Sequence, residues 1–297
     1  MKDTKISWAH GTVNFWQGCN HVSPECEGCF AEAIRTHYGH DFNILALTKT
    51  WETAYQMNAD AARRGGTKII FTCSMSDIFH AQADHWRNDA WNVIRDCKNI
   101  RWLVLTKRPE RIADHLPSDW GDGYPHVWLG VTVGCKSSYR RLDILRQIPC
   151  ALRFISAEPL LESIVDVNLD GIGWVAAGGM SGPLHQKRAM QLAWAYELYQ
   201  RCQHAEIPYL FKQSSNIYTE RGIDSLNRYI ADLEGRHYSI DEPLIRQYPA
   251  TTPGLLPFVE HGKRFTDPEW TKTKTRDISS HISRSNDENM RGFTVWQ

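Results

Sequence analysis

Seven short apolar runs, several of them separated by amphipathic stretches, constrain this chain more than any other feature. They are 12–17 (TVNFWQ), 68–73 (KIIFTC), 101–106 (RWLVLT), 126–133 (HVWLGVTV), 152–157 (LRFISA), 172–179 (IGWVAAGG) and 207–211 (IPYLF). Most are almost continuously apolar, which is the pattern of parallel strands covered on both faces; a sheet with one wet face would alternate. The stretch 84–99 carries Trp86, Ala90, Trp91, Ile94 and Cys97 on one helical stripe. Tyr139, Leu142, Leu145 and Ile148 do the same in 136–148, and Trp194, Leu198 and Cys202 in 190–202. Core packing is the simplest account of such stripes. The alternation runs to about residue 212 and predicts an α/β fold with a parallel sheet, open or closed into a barrel.

Composition narrows the setting. The chain has 297 residues, 42% of them hydrophobic, enough for a large core. Lys plus Arg and Asp plus Glu are 34 each, so net charge gives no indication of nucleic-acid binding, although a local basic patch is allowed. No apolar run of about 18 residues is present, so no membrane span is expected. The N-terminal MKDTKISWAH lacks an apolar signal core, which predicts a cytoplasmic protein. In that reducing setting the eight cysteines read as metal ligands or core thiols before disulfides. The 12 tryptophans fit a large core as readily as a ligand site. No internal repeat of 20–50 residues is found. Residues 239–297 hold five of the 13 prolines and little apolar periodicity. The expected organisation is an α/β unit over 1–236 and an irregular, polar extension over 237–297.

The segment GCNHVSPECEGCF, 18–30, places Cys19, Cys26 and Cys29 in a C-x6-C-x2-C spacing. Three thiolates on one glycine- and proline-containing loop can converge on a metal. Soft sulfur ligands suit a [4Fe–4S] cluster, and three of them leave one iron open. Cys26-x2-Cys29 is also a zinc half-site that Cys19 with His10 or His21 could complete. Unliganded thiols are the third reading. Position favours a working site: the loop follows the first predicted strand, and ligands of parallel α/β domains gather at strand C-termini.

NFWQGCNHVSPECEGCFAEA resembles the opening of the phage-type three-cysteine family of radical-SAM-like proteins, usually described as phage proteins of unknown function. The likeness continues through FTCSMSDIFH, LVLTKRPERI, VWLGVTV, RFISAEPLL, WVAAGGMSGP and PYLFKQ, over about residues 7–236. It implies a radical-SAM-like partial (β/α) TIM-type barrel, a [4Fe–4S] cluster on Cys19, Cys26 and Cys29, and S-adenosylmethionine as cofactor. It implies no substrate. The chain departs from the usual pattern in its long first cysteine spacing and in Gly28, which stands where an aromatic is usual, with Phe30 after the third cysteine. It departs again at Met180, where relatives carry Glu, and in GCKSSYRR at 134–141.

On that resemblance the predicted strand ends supply the ligand groups. Ser74, Ser76 and Asp77 offer oxygens to the cofactor's amino group, or cap a helix. Lys107 offers a cation to its carboxylate, or stays solvated. Phe30, Thr132, Ser156, Glu158, Gly178 and Gly179 complete the expected cofactor contacts; Glu158 needs a partner at the end of an apolar strand, and the glycines can serve the turn alone. Asp77 and Lys212 are the expected catalytic residues, with Lys212 facing an anionic substrate group or the cluster region. Cys135 reads as a buried thiol. The expected activity is reductive cleavage of S-adenosylmethionine to a carbon radical, 5′-deoxyadenosyl by default or 3-amino-3-carboxypropyl. That radical modifies an unknown substrate, with a small molecule favoured, and an external donor supplies the electron. The rival is a zinc-stabilised barrel that binds protein or nucleic acid.

Overall fold

A computed structural model describes residues 6–216, 222–250 and 254–257. The chain runs through β1 (Gly11–Val13), β2 (Trp16–Gln17), α1 (Phe30–His37), β3 (Ala46–Leu47), α2 (Trp51–Arg63) and β4 (Lys68–Thr72). It continues as α3 (Asp84–Asp96), β5 (Ile100–Thr106), β6 (Val127–Thr132), α4 (Arg140–Arg146) and β7 (Leu152–Ala157). β8 (Trp174–Ala177), α5 (Leu192–His204), β9 (Tyr209–Phe211) and α6 (Ser225–Leu233) complete it. Seven strands form one sheet in the order β1-β4-β5-β6-β7-β8-β9, every neighbour parallel. The order never reverses, and the sheet curls into a half-barrel with β1 and β9 as its edges. β2 and β3 pair antiparallel in a separate ribbon.

Side-chain alternation divides the core. One face of the sheet gives Val13, Ile70, Trp102, Val104, Leu129, Ile155, Val175 and Tyr209 to a large cluster shared with the helices. The other gives Ile69, Leu103, Trp128, Phe154, Trp174 and Leu210 to a smaller cluster in the concave interior, which Trp8 joins from the segment before β1. Both faces are therefore dry, which is why the strands read as continuous apolar runs. Trp8 stacks on Trp174 at 5.6 Å and meets Phe71 at 5.1 Å. Gly130 lies beneath the Phe154 ring, where a Cβ would come within 2.3 Å of it.

Two predicted elements differ in detail. The run 12–17 is not one strand. Asn14 accepts hydrogen bonds from Met75 N (2.9 Å) and Ser74 Oγ (3.2 Å), and the chain leaves the sheet there to form β2. The helix expected over 136–148 is a 3-10 turn, Lys136–Ser138, followed by the seven-residue α4.

Part of the expected extension packs against the barrel floor. Phe211 N donates to Ile245 O (2.8 Å), Gln247 N to Tyr209 O (2.9 Å) and Thr67 N to Gly254 O (2.8 Å). Tyr248 and Leu255 pack on the interior cluster. Residues 258–297 lie outside the described residues. Among the described residues no helix is long and apolar enough to cross a membrane.

Candidate functional site

The strand C-termini surround a cavity of about 210 Å³. Ser74, Ser76 and Asp77 line it after β4, and Lys107 and Arg108 after β5. Thr132, Ser156, Glu158 and Lys212 line it from β6, β7 and β9. Cys19, Cys26, Cys29 and Phe30 of the N-terminal loop line the same cavity. Residues far apart in sequence, chosen for their strand-end positions, thus share one space. Gly178 and Gly179 do not line it. A Cβ on Gly178 would sit 3.2 Å from Lys212 Cβ, and one on Gly179 would meet Ser215 N at 2.4 Å, so close backbone packing accounts for both.

The cysteine loop is fastened along its length. Gly18 adopts a left-handed φ of +100°, and a Cβ there would lie 2.5 Å from Ile44 O, so only glycine fits. Gly18 N donates to Met75 O (3.1 Å), Ser76 Oγ donates to Gly18 O, and Cys19 N donates to Phe42 O (2.7 Å). Asn20 Oδ1 accepts from His80 Nε2 (2.5 Å) and Arg108 Nη2 (2.9 Å). Arg108 Nη2 also lies 3.7 Å from Cys19 Sγ. A 3-10 turn, Pro24–Cys26, follows, and Cys29 stands at the N-cap of α1. Burial and the Asp77 charge push the Cys19 thiol up to about 11, against the Arg108 hydrogen bond. Burial also raises Cys29. These thiols are protonated near neutrality, and a metal that binds them displaces protons.

Asp77 lines the cavity, but its oxygens are engaged by the chain itself. Oδ1 accepts from Thr106 Oγ1 (2.7 Å) and Phe79 N (2.9 Å), and Oδ2 from Lys107 N (2.9 Å) with Arg108 Nε at 3.9 Å. Its carboxylate holds the turns after β4 and β5 together. The Lys107 ammonium has no hydrogen-bond or ion-pair partner among the described residues. Lys212, 6% exposed, pairs with Glu158, and its Nζ lies 4.4 Å above the Trp8 ring. Burial, helped by the Lys107 charge, pushes the Lys212 ammonium down to about 7. Glu158 thus has the partner its position demanded.

A comparison with known families matches residues 3–273 to a family of proteins of unknown function. The chain belongs to that family, DUF5131. No curated protein and no solved structure matches it.

In this DUF5131 chain the ligand options can be tested on geometry. Among the described residues no three His, Cys, Asp or Glu side chains are grouped so as to hold a metal ion. A tetrahedral zinc, with Zn–S near 2.3 Å, needs that convergence, so the side chains as they stand do not fit it. Cys19, Cys26 and Cys29 line one cavity, and thiolates are the donors an iron–sulfur cluster would use. His10, a suggested zinc ligand, lies at the other end of the barrel: Nδ1 accepts from Ile69 N (2.9 Å) and Nε2 donates to Leu256 O (2.8 Å). His21 lines the cavity, with Nε2 2.8 Å from Glu32 Oε2.

Sequence reasoning missed Asn20, His80, Glu25, Arg141 and Arg188. Glu25 lies inside the cysteine loop with its side chain fully buried, 3.1 Å from Arg141 Nη1. Burial pushes its carboxyl up, but Arg141 and Ser138 prevail and hold it at about 2. Arg188 Nη1 donates to Pro24 O (2.7 Å) from the segment between β8 and α5. No local signal marked Glu25, whose partner Arg141 lies 116 residues away.

Proposed function

We propose that the protein is a radical S-adenosylmethionine enzyme built on a radical-SAM-like partial TIM-type barrel. Cys19, Cys26 and Cys29 hold a [4Fe–4S] cluster, and S-adenosylmethionine binds beside it. One observation carries this reading: the three loop cysteines line the same cavity as the polar ends of the parallel strands. When bound, cluster and cofactor together supply one-electron chemistry, the reductive opening of a carbon–sulfur bond to a carbon radical.

The chain's own residues bind and orient. Lys107 brings its ammonium to the cavity, suited to the cofactor carboxylate. Ser74 and Ser76 donate their protons to Asn14 Oδ1 and Gly18 O, and each oxygen keeps an acceptor lone pair for the cofactor's ammonium. Thr132 and Ser156, both about 1% exposed, offer hydroxyls to the ribose. Phe30, 39% exposed, shields the space from water at the start of α1. Lys212 brings an ammonium to the cavity wall, and Glu158 holds it in an ion pair. Asp77 keeps the Lys107 turn in place. The substrate is a small molecule, the electron comes from an external donor, and the setting is the reducing cytoplasm.

Anaerobic reconstitution tests the reading. The expected product is a brown protein with about four irons per chain, which consumes S-adenosylmethionine on reduction and releases a nucleoside. Cys19→Ala, Cys26→Ala and Cys29→Ala should each lose the cluster. A colourless protein carrying one zinc would replace the enzyme reading with a zinc-stabilised binding module.

A further inference from the structure

The six residues between Cys19 and Cys26 contain one buried acid. Glu25 belongs to the 3-10 turn Pro24–Cys26, immediately before the second cysteine. Its side chain crosses to the corner between β6 and α4. Oε1 accepts from Gly134 N (3.2 Å), Arg141 Nη1 (3.1 Å) and the Ser138 hydroxyl. Arg141 Nη1 also donates to Thr132 O (2.7 Å), so the contact continues into the end of β6. Gly134 is a fitted part of this corner, because a Cβ there would lie 2.0 Å from Pro159 O and 3.1 Å from Glu25 Cγ. On its other side the turn is gripped by Arg188, which donates to Pro24 O (2.7 Å) and lies 3.1 Å from Glu27 Oε2. Leu184 packs where a Cβ on Gly28 would stand, at 2.9 Å.

We propose that Glu25 is a positioning residue for the three-cysteine loop, locking the turn between Cys19 and Cys26 onto the β6–α4 corner so that the thiols are set before any ligand binds. Three donors converge on Oε1, which holds the buried carboxylate at this corner, and the backbone of Cys26 is adjacent to it. A loop ordered in advance loses less conformational entropy on binding. The proposal rests on the reading of this loop as the ligand loop, but the contacts that carry it are all within the chain itself.

The test therefore uses the apoprotein first. Wild type, Glu25→Ala and Glu25→Gln are alkylated with iodoacetamide under reducing, metal-free conditions, and labelling at each cysteine is followed by mass spectrometry. Cys97 and Cys202, both 0% exposed, report whether the core stays folded. In Glu25→Ala, labelling of Cys26 should accelerate by roughly tenfold or more, the scale set by losing a charge-assisted hydrogen-bond set, while Cys97 and Cys202 stay protected. Glu25→Gln keeps the shape and should fall between the two. If Glu25→Ala unfolds the core, Ser138→Ala removes one donor only and should give a smaller acceleration in the same direction. Wild-type labelling rates in a folded Glu25→Ala or in Ser138→Ala would overturn the proposal. Iron uptake and the electron-spin spectrum of the reconstituted proteins form the second arm. There Glu25→Ala should hold fewer irons and show a broadened spectrum, and unchanged uptake with an unchanged spectrum would also count against the role. If wild type takes up no cluster while the labelling rates still differ, the enzyme reading fails and the positioning role stands.

Discussion

Asp77 and Lys107 line one cavity from the turns after β4 and β5, and the two side chains are held differently. Asp77 accepts hydrogen bonds from Thr106 Oγ1, Phe79 N and Lys107 N at 2.7–2.9 Å and is 7% exposed. Asp77→Ala leaves three donors without an acceptor, at a cost of about 3–5 kcal/mol. Urea denaturation should show it, and a wild-type midpoint would remove Asp77 from the wall. Lys107→Ala should change stability by less than about 0.5 kcal/mol, because among the described residues its ammonium has no partner to lose. On the proposed function it should weaken S-adenosylmethionine binding by roughly tenfold or more, the value of a charge-assisted contact. Calorimetric titration of reconstituted protein measures that, and equal affinity would take Lys107 out of the cofactor site. Both positions were singled out in the sequence because Lys107 directly follows β5 and Asp77 stands in the loop five residues after the end of β4. Glu25 was not, because Gly134 and Arg141 lie 109 and 116 residues away and no local pattern marks that distance.

At the scale of elements, legibility followed burial. Six of the seven sheet strands were readable because both faces pack on apolar clusters. α3 and α5 were readable from their stripes. α1, α2 and the β2–β3 ribbon were not anticipated. α1 buries only Ala31 and Arg35, and α2 buries Ala54, Met57 and Ala61, so neither carries a strong large-residue stripe. The entry of α3 carries a pH-sensitive clasp that no periodicity records. Asp84 meets Arg87 Nη1 at 2.6 Å and Arg111 Nη2 at 2.8 Å, joining the helix to the segment after β5. Burial raises its carboxyl, but the two guanidiniums outweigh that and hold it at about 2, below the ordinary 3.8. Above that ordinary value the carboxylate is ionised in both states, and the clasp contributes fully. As pH falls from about 3.8 to about 2 the unfolded chain takes a proton that the folded chain resists, so stability is lost across that window. Asp84→Asn should lower stability at neutral pH and flatten the acid dependence there. Unfolding midpoints measured from pH 5 to pH 2, roughly bracketing the window, would contradict the assignment if both proteins declined in parallel.

At the scale of the whole molecule, the half-barrel has two ends with different tasks. Its upper end is polar and holds the cavity; its lower end must be sealed for the interior aromatics to stay dry. Residues 243–250 and 254–257 contribute to that seal without forming helix or strand. Trp174 Nε1 donates to Gln247 O (2.9 Å), Gln247 N to Tyr209 O (2.9 Å) and Leu256 N to Thr67 O (3.0 Å). Leu256 is 9% exposed, and Ile245, Tyr248 and Leu255 pack partly buried on the two clusters. Proline and polar residues hid this role from sequence reading, because a strap that pairs by single bridges needs no periodicity. A chain ended after Pro257 keeps the strap, and one ended after Glu242 loses it, so their difference isolates residues 243–257. One buried leucine and three half-buried side chains give about 4 kcal/mol in favour of the longer chain, less whatever the unfolded state already buries. Chemical denaturation of the two should show that gap. The shorter chain should also bind a hydrophobic dye where Trp128 and Trp174 become wet, while the cavity residues at the other end remain in place. Equal midpoints and no dye binding would mean that the floor closes without the strap.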